Sequence, residues 1–345
     1  MSRCLQDLAF EELQAHLADL PRFRAEQIWQ GVHQQLAESY EAITTLPAAL
    51  RGTLAETLPF TVAHVVADSS SEDGRTAKSL HRLEDGASVE SVLMIYDSRA
   101  TVCVSSQVGC AVGCPFCATG RSGFVRDLTV GEIVAQVLHA ARELRRLERT
   151  LTNVVYMGMG EPFLNYDAVL GSIRILNDPR GFGLGARSFT VSTAGIIPGI
   201  ERLSAEGLQV NLAVSLHAGT DELRSRLIPL NRRYPLDDLL QACRRYADRT
   251  HRRISFEVAL MDGVNDVPEH AKDLAERLRG LLCHVNLIPY NPTSDELAAA
   301  SEEAMQAFAG VLERAGIPTS VRQSMGSEIE AGCGQLRARE APASP

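Results

Sequence analysis

The chain has 345 residues, 45% hydrophobic and 22% charged, with a formal net charge of -9. That length suits a large α/β domain with an appendage, and the core can be large enough to need no disulfide framework. The acidic total excludes a uniformly basic nucleic-acid binder, though not a local positive face.

Residues 1–60 read as a small helical domain. Phe10–Leu17 is amphipathic, Phe23–Gln35 carries the single tryptophan, Trp29, and Leu46–Leu58 closes the group. Met1–Leu20 holds Asp7, Glu11, Glu12 and Asp19 and has no signal-peptide run. No stretch reaches the roughly 20 apolar residues of a membrane span, so a cytoplasmic location is expected. Residues 61–95 read as linker and β-hairpin: Asp68–Gly74 as a polar loop, then Ser79–Leu83 and Val89–Ile95 around Asp85-Gly86.

From residue 96 to 336 short β-branched runs alternate with helical patterns. Thr101–Ser105, Asn153–Tyr156, Ser188–Ser192, Gln209–Leu216, Ile254–Ala259 and His284–Pro289 predict strands. Val130–Leu147 with Thr129 as N-cap, Tyr166–Leu176, Ile197–Ala205, Asp221–Arg226, Leu236–Thr250, Pro268–Leu281 and Glu302–Ala315 predict helices. About six βα units predict a parallel sheet with right-handed crossovers, wound as a partial (β/α)6-type TIM barrel. Functional residues should then gather at the C-terminal ends of the strands. The tail, 337–345, is expected to fray.

Lys78 and Lys272 are the only lysines, so positive charge is nearly all arginine, clustered at 142–149, 224–233 and 244–253. Such clusters read as solvated helix faces, with RNA contact as the alternative. Of the eight cysteines, Cys110, Cys114 and Cys117 stand in a CxxxCxxC run with Cys103 just before. Cys4, Cys243 and Cys283 stand alone and read as inert. Three thiolates on a short loop, with Gly113, Gly120 and Gly123 letting it wrap, suit a [4Fe–4S] cluster with one open iron. A closed zinc site needs four ligands, and only the distant His81 or His139 could supply one. Gly158-Met159-Gly160-Glu161-Pro162 follows the second strand and by itself reads equally as a ligand segment or a tight turn.

CxxxCxxC after the first strand resembles the radical S-adenosylmethionine (SAM) superfamily, and Gly158–Pro162 resembles its GGEP segment. The resemblance extends to the RlmN/Cfr family of RNA adenosine methyltransferases over residues 10–336. It rests on Phe23–Trp29, Arg99–Cys110, Ser215-Leu216-His217-Ala218, Asn286–Pro292 and Ala331–Leu336.

The resemblance implies a site. Cys110, Cys114 and Cys117 would hold the cluster, and Gly160, Glu161, Ser192, Ser215, Leu216, His217 and Asn291 would contact SAM. Cys333 would carry a methyl group from a first SAM, and a second SAM would yield the radical that joins that carbon to adenine. Cys103 would release the product by forming a disulfide, with Glu90 as proton acceptor. The family further implies C2 of an adenosine (C8 as alternative) in 23S rRNA, with tRNA as a second substrate. A flavodoxin- or ferredoxin-type electron donor and a monomeric enzyme are expected. Thr293–Leu297 lacks the Gly- and aromatic-rich run of the family, and Arg322–Gly326 is less basic. A non-enzymatic zinc RNA-binding module, or another radical SAM reaction such as methylthiolation, is the competing reading.

Overall fold

The computed structural model describes residues 3–294 and 296–338; most of the expected tail lies outside the described residues. Helices α1 (Phe10–His16), α2 (Phe23–His33) and α3 (Ala48–Thr57) form the amino-terminal unit. Trp29 lies edge-on to Phe10, ring centroids 5.6 Å apart, and packs with Leu13, Ile28 and Ile43 in an apolar core. An indole so buried is among the largest single contributions to such a small core.

Strands β1 (Ala63–Ser70), β2 (Thr76–Leu83) and β3 (Ser88–Ile95) form an antiparallel meander. The expected hairpin is there, but the expected loop is corrected, because Asp68, Ser69 and Ser70 pair with Ser79, Lys78 and Ala77. β1 ends the sheet, where backbone pairing on one side suffices and polar side chains face water, so its composition hid the strand.

β4 (Ala100–Cys103) pairs antiparallel with β3. A detached hairpin, β5 (Gln107–Gly109) with β6 (Phe124–Asp127), encloses the short helix α4 (Ala118–Arg121). Then come α5 (Val130–Arg146), β7 (Asn153–Tyr156), α6 (Tyr166–Asn177), β8 (Phe189–Thr193), α7 (Ile197–Ala205) and β9 (Asn211–Ser215). α8 (Asp221–Leu227), α9 (Leu236–Thr250), β10 (Ile254–Leu260), α10 (Pro268–Leu278), β11 (Cys283–Pro289), α11 (Glu302–Arg314) and β12 (Thr319–Val321) complete the chain. The sheet runs β4-β7-β8-β9-β10-β11-β12, all parallel, so a short seventh strand joins the six expected.

Local chemistry explains the elements. Thr129 Oγ1 accepts the Glu132 N–H (3.2 Å) while the Glu132 carboxylate accepts the Thr129 N–H (2.8 Å), a reciprocal cap that starts α5 where the sequence placed it. Phe189, Val191, Leu212, Val214, Phe256, Val258, Val285 and Leu287 join the core beneath the helices. With period two, the alternate residues Thr190, Ser192, Ser215, Ser255, Glu257, His284 and Asn286 turn to the barrel's inside. That inner face therefore carries many polar side chains. Among the described residues no helix is long and apolar enough to cross a membrane.

Candidate active site

Cys110, Cys114 and Cys117 sit between β5 and α4, all half-buried. The Cys110 N–H donates to the Gly123 carbonyl (2.8 Å) and the Cys117 N–H to the Cys114 carbonyl (3.2 Å). A Cβ at Gly120 would stand 2.8 Å from the backbone N and O of Cys114, so only glycine lets α4 lie on the loop. Burial pushes the Cys110 thiol up to about 12. Cys114 is pushed up by burial and then by the charges of Cys117 and Cys110, so the three thiols share one neighbourhood. Yet among the described residues no three His, Cys, Asp or Glu side chains gather closely enough to hold a metal ion. A four-iron cluster takes each thiolate on a different iron, whereas a closed zinc site needs four ligands on one ion. His81 and His139 lie elsewhere, rings 5.6 Å apart and bonded to Ser91 (2.8 Å) and Ser79 (3.0 Å).

The Gly158–Pro162 turn follows β7. Gly160 has φ +101°, and a Cβ there would meet Gln107 at 2.6 Å, while Gln107 Oε1 accepts the Glu161 N–H at 2.8 Å. Glu161 is buried, and its carboxylate accepts the N–H groups of Ala194 (2.7 Å) and Phe163 (3.1 Å). Burial pushes this carboxyl up to about 7, against those hydrogen bonds. No cation bonds to it among the described residues. A buried carboxylate without a counter-ion, beside the thiol loop, suits the ammonium of an amino acid.

Ser192 and Ser215 lie near the ends of β8 and β9, and Leu216 and His217 continue from β9. His217 has φ +60°. Its Nδ1 accepts the Ala259 N–H (2.9 Å), its carbonyl accepts Asn265 Nδ2 (2.9 Å), and its ring meets Phe116 edge-on at 5.0 Å. Burial drives its imidazole down to about 3, so it stays neutral. Asn291, beyond β11, donates from Nδ2 to the Cys333 carbonyl (3.2 Å).

Cys333 is brought to the thiol loop by the segment around it. The Ala118 N–H donates to the Gly334 carbonyl (2.8 Å), Thr119 Oγ1 to the Leu336 carbonyl (2.5 Å), and Gln335 Nε2 to the Pro292 carbonyl (3.2 Å). A cleft of about 220 Å³ opens beside it, lined by Ala118, Pro292, Thr293, Ser294, Glu330, Gln335 and Arg337. Cys333 is exposed. Its crowded setting pushes the thiol up, the Glu257 carboxylate adds to that, and Arg322 draws it back. Cys103 ends β4, buried, its thiol pushed up by burial and then by the charge of Cys333. The two sulfurs therefore lie close enough for one to feel the other's charge. All eight cysteines are free thiols, so the expected disulfide is no standing element of the fold.

Glu90, on β3, is buried. Lys78 Nζ lies 3.2 Å from Oε1, and the N–H groups of Arg337 (2.8 Å) and Ala338 (3.1 Å) donate to Oε2. The sequence offered Lys78 only as a rare lysine. The Asp85-Gly86 turn sets a register with Lys78 opposite Val92 and Leu80 opposite Glu90, which puts Lys78 on the diagonal from Glu90. Gln107, Arg224 and Glu257 were also missed. Glu257 accepts Asn286 Nδ2 at Oε1 (2.9 Å), while its buried Oε2 has no partner among the described residues.

The first arginine cluster proves to be partly a joint. Arg142 donates to the carbonyls of Leu36 and Ala37 (2.9 Å each), and Arg145 to those of Gln35 (2.5 Å) and Gln34 (2.6 Å). The end of α2 leaves carbonyls unpaired, and guanidinium forks from α5 fill them.

Comparison with known proteins shows the family. Residues 104–278 match the radical SAM superfamily, and residues 4–59 match the ribosomal RNA large subunit methyltransferase N-terminal domain. A Chloroflexus aurantiacus protein named "Probable dual-specificity RNA methyltransferase RlmN" is 49% identical, over 98% of this chain and 93% of its own. A Staphylococcus aureus protein of the same name is 44% identical, over 97% and 93%. The crystal structure of a radical SAM methyltransferase from Sphaerobacter thermophilus superposes with TM-score 0.97 at 54% identity, covering 98% of this chain and 100% of that one. The chain belongs to the RlmN family of radical SAM RNA methyltransferases.

Proposed function

We propose that the chain methylates C2 of an adenosine in RNA, in 23S rRNA and also in tRNA, through S-methylcysteine at Cys333 and a covalent protein–RNA adduct. The observation that carries this reading is the seating of the Cys333 segment on the three-thiol loop, through the Ala118 N–H to the Gly334 carbonyl (2.8 Å) and Thr119 Oγ1 to the Leu336 carbonyl (2.5 Å). Cys110, Cys114 and Cys117 hold a [4Fe–4S] cluster, and Gly160, Glu161, Ser192, Ser215, Leu216, His217 and Asn291 hold SAM. When bound, the cluster supplies the electron that cleaves SAM reductively to a 5′-deoxyadenosyl radical.

The side chains then divide the work. Adenine carbon is not nucleophilic, so ordinary displacement at the sulfonium is closed to it, whereas a thiolate at Cys333 can take that methyl. Two SAM molecules serve each turnover, the first to methylate Cys333 and the second to make the radical. The 5′-deoxyadenosyl radical takes a hydrogen atom from the S-methyl group, and the methylene carbon so formed bonds to adenine. The adduct gives up one electron to the centre that supplied it, and Glu90, held by Lys78, takes the ring proton. The Cys103 thiolate then attacks the bridging sulfur: an S–S bond to Cys333 forms as the sulfur–carbon bond breaks. The released methylene carbon takes a proton to become the methyl group, and a small thiol reductant reopens the disulfide. The enzyme acts as a cytoplasmic monomer supplied by a flavodoxin- or ferredoxin-type donor. The test is mass spectrometry of rRNA and tRNA from cells with and without this chain. C2-methyladenosine should appear only with it; C8-methyladenosine in its place, or no change, would reject the proposal.

A further inference from the structure

Arg224, on α8, has no exposed surface. Its guanidinium donates to the carbonyls of Ala194 (2.6 Å), Ser215 (3.1 Å) and Leu216 (3.2 Å) and to Asn231 Oδ1 (2.8 Å). All four partners are neutral oxygens. Asp221 is spent on Asn231 Nδ2 and the Leu236 N–H, at 2.8 Å each. No carboxylate pairs with Arg224 among the described residues. A buried cation met only by neutral oxygens is left without a compensating charge, which is unfavourable.

The neighbourhood says which charge that is. Leu223 and Leu227, flanking Arg224, belong with Val112, Ile228, Met261 and Tyr290 to an apolar cluster packed on Cys110, Cys114 and Phe116. Through such a wall a charge is weakly screened. Ala194, whose carbonyl takes the guanidinium at 2.6 Å, packs against that same apolar cluster beside Cys110 and Cys114, so the cation and the thiol loop share one apolar wall. The same guanidinium fixes the ends of β8 and β9, so its position is set by the barrel and not by its own flexible stem.

We infer that Arg224 is the buried counter-charge of the cluster held by Cys110, Cys114 and Cys117, and that it sets how readily that cluster accepts an electron. The inference rests on the cluster assignment above. Three thiolates leave the cluster anionic, and reduction adds one more negative charge. A fixed cation nearby stabilises the reduced form and raises the midpoint potential. One electron enters from a low-potential donor protein, and no bond or proton moves in the step.

The experiment is an EPR-monitored redox titration of the full-length chain, reconstituted anaerobically with iron and sulfide. Arg224→Gln keeps size and a donor group but removes the charge, so its midpoint should shift to more negative potential. Arg226→Gln, at an exposed arginine two residues on, should leave the midpoint unchanged. Arg224→Lys keeps the charge without the fork and should stay near the parent value. An Arg224→Gln protein with full iron and sulfide and the parent's midpoint overturns the inference. Should that variant fail to load, Arg224→Lys decides, because a markedly lowered midpoint there also overturns it. A parent chain that takes up no cluster would instead refute the cluster assignment.

Discussion

Glu161 couples the fold to SAM, and its replacement separates the two roles. Glu161→Ala removes the acceptor for two buried N–H groups, those of Ala194 and Phe163. Each orphaned donor costs about 1–3 kcal/mol, so stability should fall by about 2–6 kcal/mol. Glu161→Gln keeps one acceptor oxygen and should lose about half of that. Both variants lose the charge-assisted bond to the SAM ammonium, worth about 1.5–3 kcal/mol, or roughly 10–150-fold in affinity. The sign with pH follows from burial, which lifts this carboxyl from 4.5 to about 7. Between those values the folded chain holds the proton more tightly than the unfolded one. The stability this group contributes is therefore present below 4.5 and lost as pH rises through about 7. SAM needs the carboxylate form, so its affinity should rise over the same window in the parent and stay flat in Glu161→Gln. Urea unfolding gives the first quantity, and anaerobic calorimetry at several pH values gives the second. A fully loaded Glu161→Gln protein binding SAM within twofold of the parent would refute the reasoning.

Cys110→Ala, Cys114→Ala and Cys117→Ala should each abolish 5′-deoxyadenosine formation together with the brown absorbance of the cluster, since three ligands are the minimum; one variant active with a full cluster would remove that residue from the ligand set. Lys78→Met should leave Cys333 methylation intact but cut RNA methylation at least about tenfold, by unpairing a buried carboxylate; unchanged turnover would make Lys78 merely structural. The double variant Arg142→Ala/Arg145→Ala should destabilise the joint to the amino-terminal unit by roughly 1–3 kcal/mol, read by urea unfolding, with SAM cleavage retained. Loss of SAM cleavage with the fold unchanged would show that these arginines serve the site itself.

The periodic elements were legible because local physics and tertiary packing agree in them. Asn153–Tyr156, Ile197–Ala205 and Leu236–Thr250 fall where their patterns put them. β1 and β12 were missed because an edge strand needs little apolar content, and the β5–β6 hairpin because its strands span only Gln107–Gly109 and Phe124–Asp127. In the site, the thiol spacing and the Gly160-Glu161 turn carry their chemistry locally and could be read. Lys78, Arg224 and Glu257 could not. Each looks like an ordinary surface charge until the fold buries it, and Arg224 sat in a cluster that composition assigns to solvent.

The two-cysteine route stands or falls on the Cys103→Ala protein, given SAM, a reductant and RNA under anaerobic conditions. With Cys333 able to take the methyl and no thiol at residue 103 to attack the bridge, RNA should remain joined to Cys333 through a thioether that survives denaturation. Tryptic mass spectrometry should then find the peptide around Cys333 carrying a methylene-linked adenosine, and Cys333→Ala should show neither adduct nor S-methylation. A Cys103→Ala protein that turns over at the parent rate, with no RNA bound after denaturation, would contradict the mechanism.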